Sequence, residues 1–136
     1  MTNQPKKRLT IAVDFDGTIV EHKYPRIGPE IPFATETLRA LQEKGHHLIL
    51  WTYRHGEMLD EAVEFCRKKG IEFYAINRNY PEEKFDDSTS RKILADIYID
   101  DRNWGGLPQW PEIFRILHPE DAPPTPRAAK KRWWQR

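Results

Sequence analysis

Short apolar runs alternate along this chain with longer segments in which apolar residues recur every three or four positions. Residues 9–13, 46–52 and 71–76 have the length and apolar character of strands. Residues 33–45 and 57–70 have helical spacing, and each segment ends in a glycine that suits a helix stop. Strands that alternate with helices predict βαβ units and a mostly parallel sheet.

Two more strands are expected toward the C-terminus. The second half of 91–101 predicts the fourth strand, and IFRIL at 113–117 predicts a fifth. A segment rich in proline and glycine follows the first strand, and we call residues 19–32 the flap. A polar loop covers 77–90. We therefore expect a three-layer Rossmann-like α/β fold with a mostly parallel five-stranded sheet, and neither long gap leaves room for an inserted cap domain.

Length and charge limit the choice of domain organisation and partners. The chain has 136 residues, which is enough for one hydrophobic core but not for two. We expect one domain over 1–118 and a disordered, Pro-rich basic tail over 119–136. The formal net charge is only +1, so no global field points to nucleic acid or to a membrane surface.

The sequence also predicts a cytoplasmic location. The first residues, MTNQPKKR, lead directly into a strand and lack the apolar core of a signal peptide. No later apolar run reaches the length of a membrane span. Cys66 is the single cysteine, so an intrachain disulfide and a Cys-rich zinc site are excluded.

Acidic and hydroxyl side chains follow the predicted strands at their carboxyl ends. Asp14 and Asp16 come after the first strand, Thr52 closes the second, and Asp100 and Asp101 close the fourth. In parallel sheets these ends meet at one edge, where ligands bind. Carboxylates packed this closely repel one another. A metal ion, an anion with its own counter-charges, or water at the strand ends could offset the repulsion.

Of these, a hard divalent cation fits best, because oxygen-only ligands favour Mg²⁺ over Zn²⁺. The stretch DFDG superficially resembles a calcium-binding loop, which requires glycine at its sixth position. Here Gly17 is the fourth residue of the stretch, and the stretch begins on a strand. The sequence therefore predicts a magnesium site and excludes an EF-hand.

Four motifs together resemble those of the haloacid dehalogenase-like (HAD) hydrolases. They are DFDGT after an apolar strand, LILWT ending in threonine, a lysine before the fourth strand, and YIDD closing that strand. They occur in the family's order and span residues 9–105. The chain is most similar to small, capless bacterial members of unassigned substrate.

The resemblance implies a role for each residue of the first motif. Asp14 would be the nucleophile that forms an aspartyl-phosphate. Asp16 would protonate the leaving oxygen and then act as base on the attacking water, while its main-chain carbonyl touches Mg²⁺. Gly17 and Thr18 would shape the loop that receives the substrate phosphate, Gly17 by allowing the turn and Thr18 by supporting it from behind.

The later motifs imply the remaining contacts. Thr52 would donate a hydrogen bond to a phosphoryl oxygen, and Lys92 would neutralise negative charge on the phosphoryl group. Asp101 and Asp100 would join Asp14 and Asp16 at the metal, with the direct ligand of the pair left open. Arg54 overhangs the same edge and is a candidate for binding a second anionic group of the substrate.

Three points stay open at the level of sequence. Arg91 and Lys84 compete with Lys92 as the cation that faces the phosphate. An open site suits a bulky phosphorylated substrate, or a small one enclosed by a homo-oligomer. The basic and aromatic tail admits RNA as a partner without supporting it. The expected activity is a Mg²⁺-dependent phosphatase, with a non-catalytic phosphate- or metabolite-binding module and a phosphotransferase as alternatives.

Overall fold

The computed structural model describes residues 7–124, and the account below concerns these residues. They form four strands and three helices around one parallel sheet. In chain order the elements are β1 (Thr10–Val13), α1 (Ala34–Glu43), β2 (His47–Leu50), α2 (Gly56–Lys68), β3 (Ala75–Ile76), β4 (Ile97–Ile99) and α3 (Trp110–Leu117).

The sheet has the order β3-β2-β1-β4, and every neighbouring pair is parallel. Val13 of β1 lies opposite Leu50 of β2 and Ile99 of β4, and Leu50 lies opposite Ile76 of β3. The four strands therefore end at the same edge, with β1 in the interior of the sheet. This confirms the predicted parallel α/β architecture of Rossmann type, although β3 is shorter than the predicted strand over 71–76.

The two faces of the sheet are covered differently. On one face, apolar side chains of β1, β2 and β4 pack with the buried sides of all three helices. On the other face, Ala12, Ile49 and Ala75 pack against Ile93, from the irregular segment before β4. The predicted third layer is thus formed here by irregular chain. The main core includes residues of the strands and the helices, among them Ile11, Val13, Leu48, Leu50, Ile99, Leu38, Leu41, Ala62, Cys66, Trp110 and Phe114.

The prediction of a fifth strand at 113–117 was wrong, because these residues belong to α3. Pro111 occupies the first turn of this helix, where its missing N–H is not needed. Trp110, Ile113 and Phe114 then fall on one buried helical face. A five-residue apolar run cannot be assigned to strand or helix from its composition, and here the burial of that face against α1 decides for the helix.

The two ends of the flap lie side by side and are joined by main-chain hydrogen bonds. Glu21 N–H donates to the carbonyl of Pro29 at 2.8 Å, and Ile31 N–H donates to the carbonyl of Ile19 at 2.8 Å. Between residues 7 and 124, the strands are linked by the flap, the helices and loops, without an inserted domain.

The C-terminal tail is described only in part. After α3, Asp121 forms an ion pair with Lys44, with Nζ and Oδ2 2.7 Å apart. The rest of the tail, 125–136, lies outside the described residues, so the predicted disorder stays a prediction. None of the helices in the described part of the chain is long and apolar enough to cross a membrane.

Candidate functional site

The sheet places the first motif at the centre of its carboxyl edge. Beyond the last pairs of the strands, Asp14 N–H donates to the carbonyl of Ile99 at 3.0 Å, and Trp51 N–H donates to the carbonyl of Val13 at 2.8 Å. These bonds continue the parallel ladder past the strand ends. The residues that follow β1, β2 and β4 are therefore held beside one another, as the sequence predicted.

Three of the four predicted acids form one cluster. Asp14, Asp100 and Asp101 are half-buried, and each offers a carboxylate oxygen within 4.8 Å of the others. Burial, the charge of Asp100 and a hydrogen bond with Asp101 raise the pKa of Asp14 from 3.8 to about 7, against smaller lowering effects. A raised pKa is what unneutralised carboxylates acquire when they are crowded away from water.

Hydrogen bonds of Thr18 hold the cluster in place, and the missing side chain of Gly17 leaves space for it. The Thr18 hydroxyl lies 3.1 Å from Asp14 Oδ2 and 3.2 Å from Asp101 Oδ1, and it accepts the N–H of Asp101 at 3.0 Å. The indole N–H of buried Trp110 donates to the carbonyl of Thr18 at 3.0 Å and fixes the loop from below. Gly17 has a φ of +86°, and a Cβ there would come within 2.6 Å of Asp101 Oδ2.

This donor set fits a hard divalent cation. Three carboxylates offer oxygen ligands within 4.8 Å of one another, burial and the charge of Asp100 raise the pKa of Asp14, and one side of the cluster faces a cleft. Mg²⁺ binds one or two carboxylates directly and retains several waters, so the three acids are sufficient for it.

Asp16 is placed differently from the other acids. Its carboxylate forms a bidentate ion pair with Arg54, in which Nε lies 2.7 Å from Oδ2 and Nη2 lies 2.7 Å from Oδ1. Both side chains are completely buried. The hydrogen bond to Asp16 is the main cause that raises the pKa of Arg54 further above its usual value, so the guanidinium stays charged. A metal contact at Asp16 would therefore use its main-chain carbonyl.

Arg54 is not available to a substrate, which corrects the prediction that it binds a second anionic group. A guanidinium has five N–H donors, and the structure gives five acceptors for them. Besides the two oxygens of Asp16, they are the main-chain carbonyls of Pro25 and Met58, reached by Nη1, and of Arg26, reached by Nη2. Sequence patterns treat an arginine two residues past a strand as exposed, so nothing in the sequence indicated this burial.

Thr52 follows β2 at the carboxyl edge of the sheet. It is buried at the cleft wall, and its hydroxyl accepts the N–H of Arg54 at 3.1 Å, which leaves the hydroxyl proton for another acceptor. Its own N–H is taken by the side-chain carbonyl of Asn77 at 2.8 Å. Asn77 adopts a left-handed φ of 56° at the end of β3, a conformation that asparagine tolerates better than most residues. The sequence interpretation had missed Asn77.

A cleft of about 620 Å³ lies over these groups. Its size suits a small molecule or the end of a larger one. The residues that line it are Asp14, Asp16, His22, Trp51, Thr52, Tyr53, Asp100 and Arg102.

The three candidate cations are not among the residues that line the cleft. Lys92 is exposed, and its Nζ lies 5.7 Å from the centre of the Tyr98 ring. Arg91 lies over the ring of Phe85, and Lys84 is exposed. Among the described residues that line the cleft, Arg102 carries the permanent positive charge.

The fold and the site thus define a class: a parallel α/β protein with a carboxylate cluster and a buried threonine hydroxyl at the carboxyl edge of its sheet. The chain is 59% identical to the conserved protein coded by a locus from Bacteroides thetaiotaomicron. The match covers 85% of this chain and 94% of that one, with a TM-score of 0.79. At this identity and coverage, the chain belongs to the same family as the Bacteroides protein. No family model and no curated protein matches the chain.

Proposed function

We propose that this protein is a Mg²⁺-dependent phosphatase of the HAD type, which hydrolyses a phosphate monoester through an aspartyl-phosphate. The observation that carries the proposal is the convergence of Asp14, Asp100 and Asp101 within 4.8 Å, beside the buried hydroxyl of Thr52. Crowded carboxylates destabilise a fold, so their presence at a ligand-binding edge calls for a cation and an anionic ligand.

The first step is nucleophilic attack. A carboxylate oxygen of Asp14 bonds to phosphorus while the bond from phosphorus to the leaving oxygen breaks. Asp16, protonated once it has turned away from Arg54, gives its proton to the leaving oxygen, which departs as the alcohol. The Thr52 hydroxyl donates to a phosphoryl oxygen and orients the group for attack. The carboxylate cluster and the main-chain carbonyl of Asp16 would hold Mg²⁺, whose positive charge would offset the repulsion between Asp14 and the phosphate. Arg102 adds a second positive charge at the rim of the cleft.

The second step is hydrolysis of the aspartyl-phosphate. Asp16 removes a proton from water, the water oxygen bonds to phosphorus, and the bond from phosphorus to Asp14 breaks, which releases phosphate. The carboxylate of Asp16 can serve here only after it turns away from Arg54, because both of its oxygens accept N–H groups of Arg54 in this conformation.

Hydrolysis of 4-nitrophenyl phosphate in the presence of Mg²⁺ tests the proposal. We expect turnover by the wild-type protein and a loss of about a thousandfold or more in Asp14→Asn, because the amide is not a nucleophile. Asp60→Asn is the matched control, since Asp60 is exposed on α2 away from the cleft and its replacement should leave the rate unchanged. Acid quenching during turnover should leave phosphate on Asp14, detectable by mass spectrometry.

Equal rates in the wild type and Asp14→Asn would reject the phosphatase. So would the absence of turnover across a screen of phosphorylated metabolites, sugars and nucleic-acid ends. The ion pair of Asp16 with Arg54 favours a second candidate, a module that binds phosphate without hydrolysing it. That function would show saturable phosphate binding in calorimetry, weakened in Thr52→Val, with no product formed.

A further inference from the structure

Arg54 joins three parts of the chain that border the site. Two of its N–H groups bind Asp16, at the end of β1, with oxygens at 2.7 Å. Two more bind flap carbonyls, those of Pro25 at 3.2 Å and Arg26 at 2.9 Å. The last binds the carbonyl of Met58, in α2, at 3.3 Å. A single guanidinium therefore fixes both the acid–base carboxylate and the flap.

The flap also forms one wall of the cleft. His22 lines the cleft together with Tyr53, and the ring of Tyr24 lies 4.9 Å from that of Tyr53. The guanidinium of Arg54 lies 5.1 Å from the centre of the Tyr24 ring. Any displacement of the flap from Arg54 would therefore change the width of the cleft.

Because Arg54 and Asp16 form a buried ion pair, the Asp16 carboxylate cannot turn away unless another group compensates the charge of Arg54. If its carboxylate turned toward a substrate, the guanidinium would stay buried with carbonyls but without a carboxylate, which is a costly state for an ion. Water could replace the carboxylate as the partner of the Arg54 guanidinium. Pro25 and Arg26 are exposed, so this part of the flap lies between the guanidinium and solvent, and water can reach Arg54 when this part moves away.

We propose that Arg54 is a positioning residue that couples the flap to Asp16, so that release of the carboxylate and outward movement of the flap are a single event. The coupling follows from the contacts of Arg54. Its meaning for the reaction rests on the proposed function, in which Asp16 must turn from Arg54 toward the water or the leaving group.

Amide hydrogen exchange of the flap tests the coupling without any assay of activity. The reporters are the N–H groups of Glu21, Arg26 and Ile31, which all donate to carbonyls within the flap. We expect Asp16→Asn to speed their exchange by about tenfold or more, because the carboxylate reaches the flap through Arg54 and its loss weakens the anchor. Arg54→Lys, with three donors instead of five, should do the same.

Arg26→Met is the matched control. It removes an exposed side chain from the flap itself, while the main-chain carbonyl of residue 26 remains available to Arg54. Exchange of the flap in this variant should stay within about twofold of the wild type. Unchanged exchange of the flap in folded Asp16→Asn would overturn the coupling, and so would an equal increase in Arg26→Met.

Kinetics separate a positioning role from a purely structural one. In Arg54→Lys, measured well below its unfolding temperature, kcat should fall by about tenfold or more while KM changes less, because the phosphate ligands are retained but Asp16 is misdirected. Unchanged kcat in the folded variant would overturn the positioning role. If the wild type hydrolyses no phosphate ester, the proposed function fails, yet flap exchange in Asp16→Asn still decides the coupling.

Discussion

Gly17 shows how closely a single backbone position is fitted to the acidic cluster. Its φ of +86° is costly for any residue with a Cβ, and a Cβ there would meet Asp101 Oδ2 at 2.6 Å. We expect Gly17→Ala to lower the free energy of unfolding by about 2–5 kcal/mol, the sum of the left-handed backbone and the displaced carboxylate. Urea denaturation measures the change.

Gly45 provides the comparison for this prediction. It has a similar φ of +93°, but nothing lies within 4 Å of the position of its Cβ. Gly45→Ala should therefore cost only the backbone part, about 1–2 kcal/mol. Equal losses in the two variants would mean that the contact with Asp101 contributes nothing.

At the residue scale, the sequence predicted where the acidic side chains lie on the sheet better than it predicted which groups surround each side chain. Asp14, Asp100 and Asp101 were placed correctly, because a parallel sheet brings its carboxyl ends to one edge whatever the details of packing. The environment of Arg54 was out of reach, since its partner Asp16 is 38 residues away and its other acceptors are main-chain carbonyls, which have no sequence signature. The expected role of Lys92 stays a prediction, although its side chain does not line the cleft.

At the scale of elements, α3 supports the loop of residues 14–18, which follows β1 and carries the first acids of the site. Trp110 is completely buried and donates its indole N–H to the carbonyl of Thr18. We expect Trp110→Phe to lower the free energy of unfolding by about 2–4 kcal/mol, because a smaller ring leaves a void and the carbonyl loses its donor. Calorimetry or urea denaturation measures the effect.

Trp104 is the matched control, since it is fully exposed. Trp104→Phe should change the free energy of unfolding by less than about 0.5 kcal/mol.

Helix α3 was mistaken for a strand in the sequence interpretation, because IFRIL is too short to show its period. The burial of Trp110 and Phe114 on one face became visible only with the helix in place.

At the scale of the whole molecule, two groups give the stability opposite dependences on pH. The folded-state pKa of Asp14, about 7, lies above its usual 3.8, so the folded state binds more protons and stability falls as pH rises from about 4 to about 7. Burial, and then the neighbouring His118, lower the pKa of His46 below 6.5, so its contribution is present above that value and is lost as pH falls.

The difference between the wild type and Asp14→Asn isolates the first group. Without divalent cations, Asp14→Asn should melt higher than the wild type at pH 8 and lose that advantage near pH 4. The difference at pH 8 should be a few degrees, since about 1 kcal/mol moves the Tm of a chain this size by roughly 3–6 °C. Added Mg²⁺ should raise the Tm of the wild type more than that of the variant. Equal responses to Mg²⁺ would argue against a metal at this cluster.

The closed geometry of the flap also has a consequence for redesign. Val20 and Glu30 form a bridge, and the chain leaves and re-enters the core at neighbouring points. The entropic cost of closing a loop grows slowly with its length, by about 0.6 kcal/mol for each doubling. A longer recognition segment could therefore be grafted between these two residues while β1 and its carboxylates stay in place, provided that it returns two carbonyls to Arg54. The flap is therefore a point at which the wall of the cleft can be lengthened without a change in the sheet.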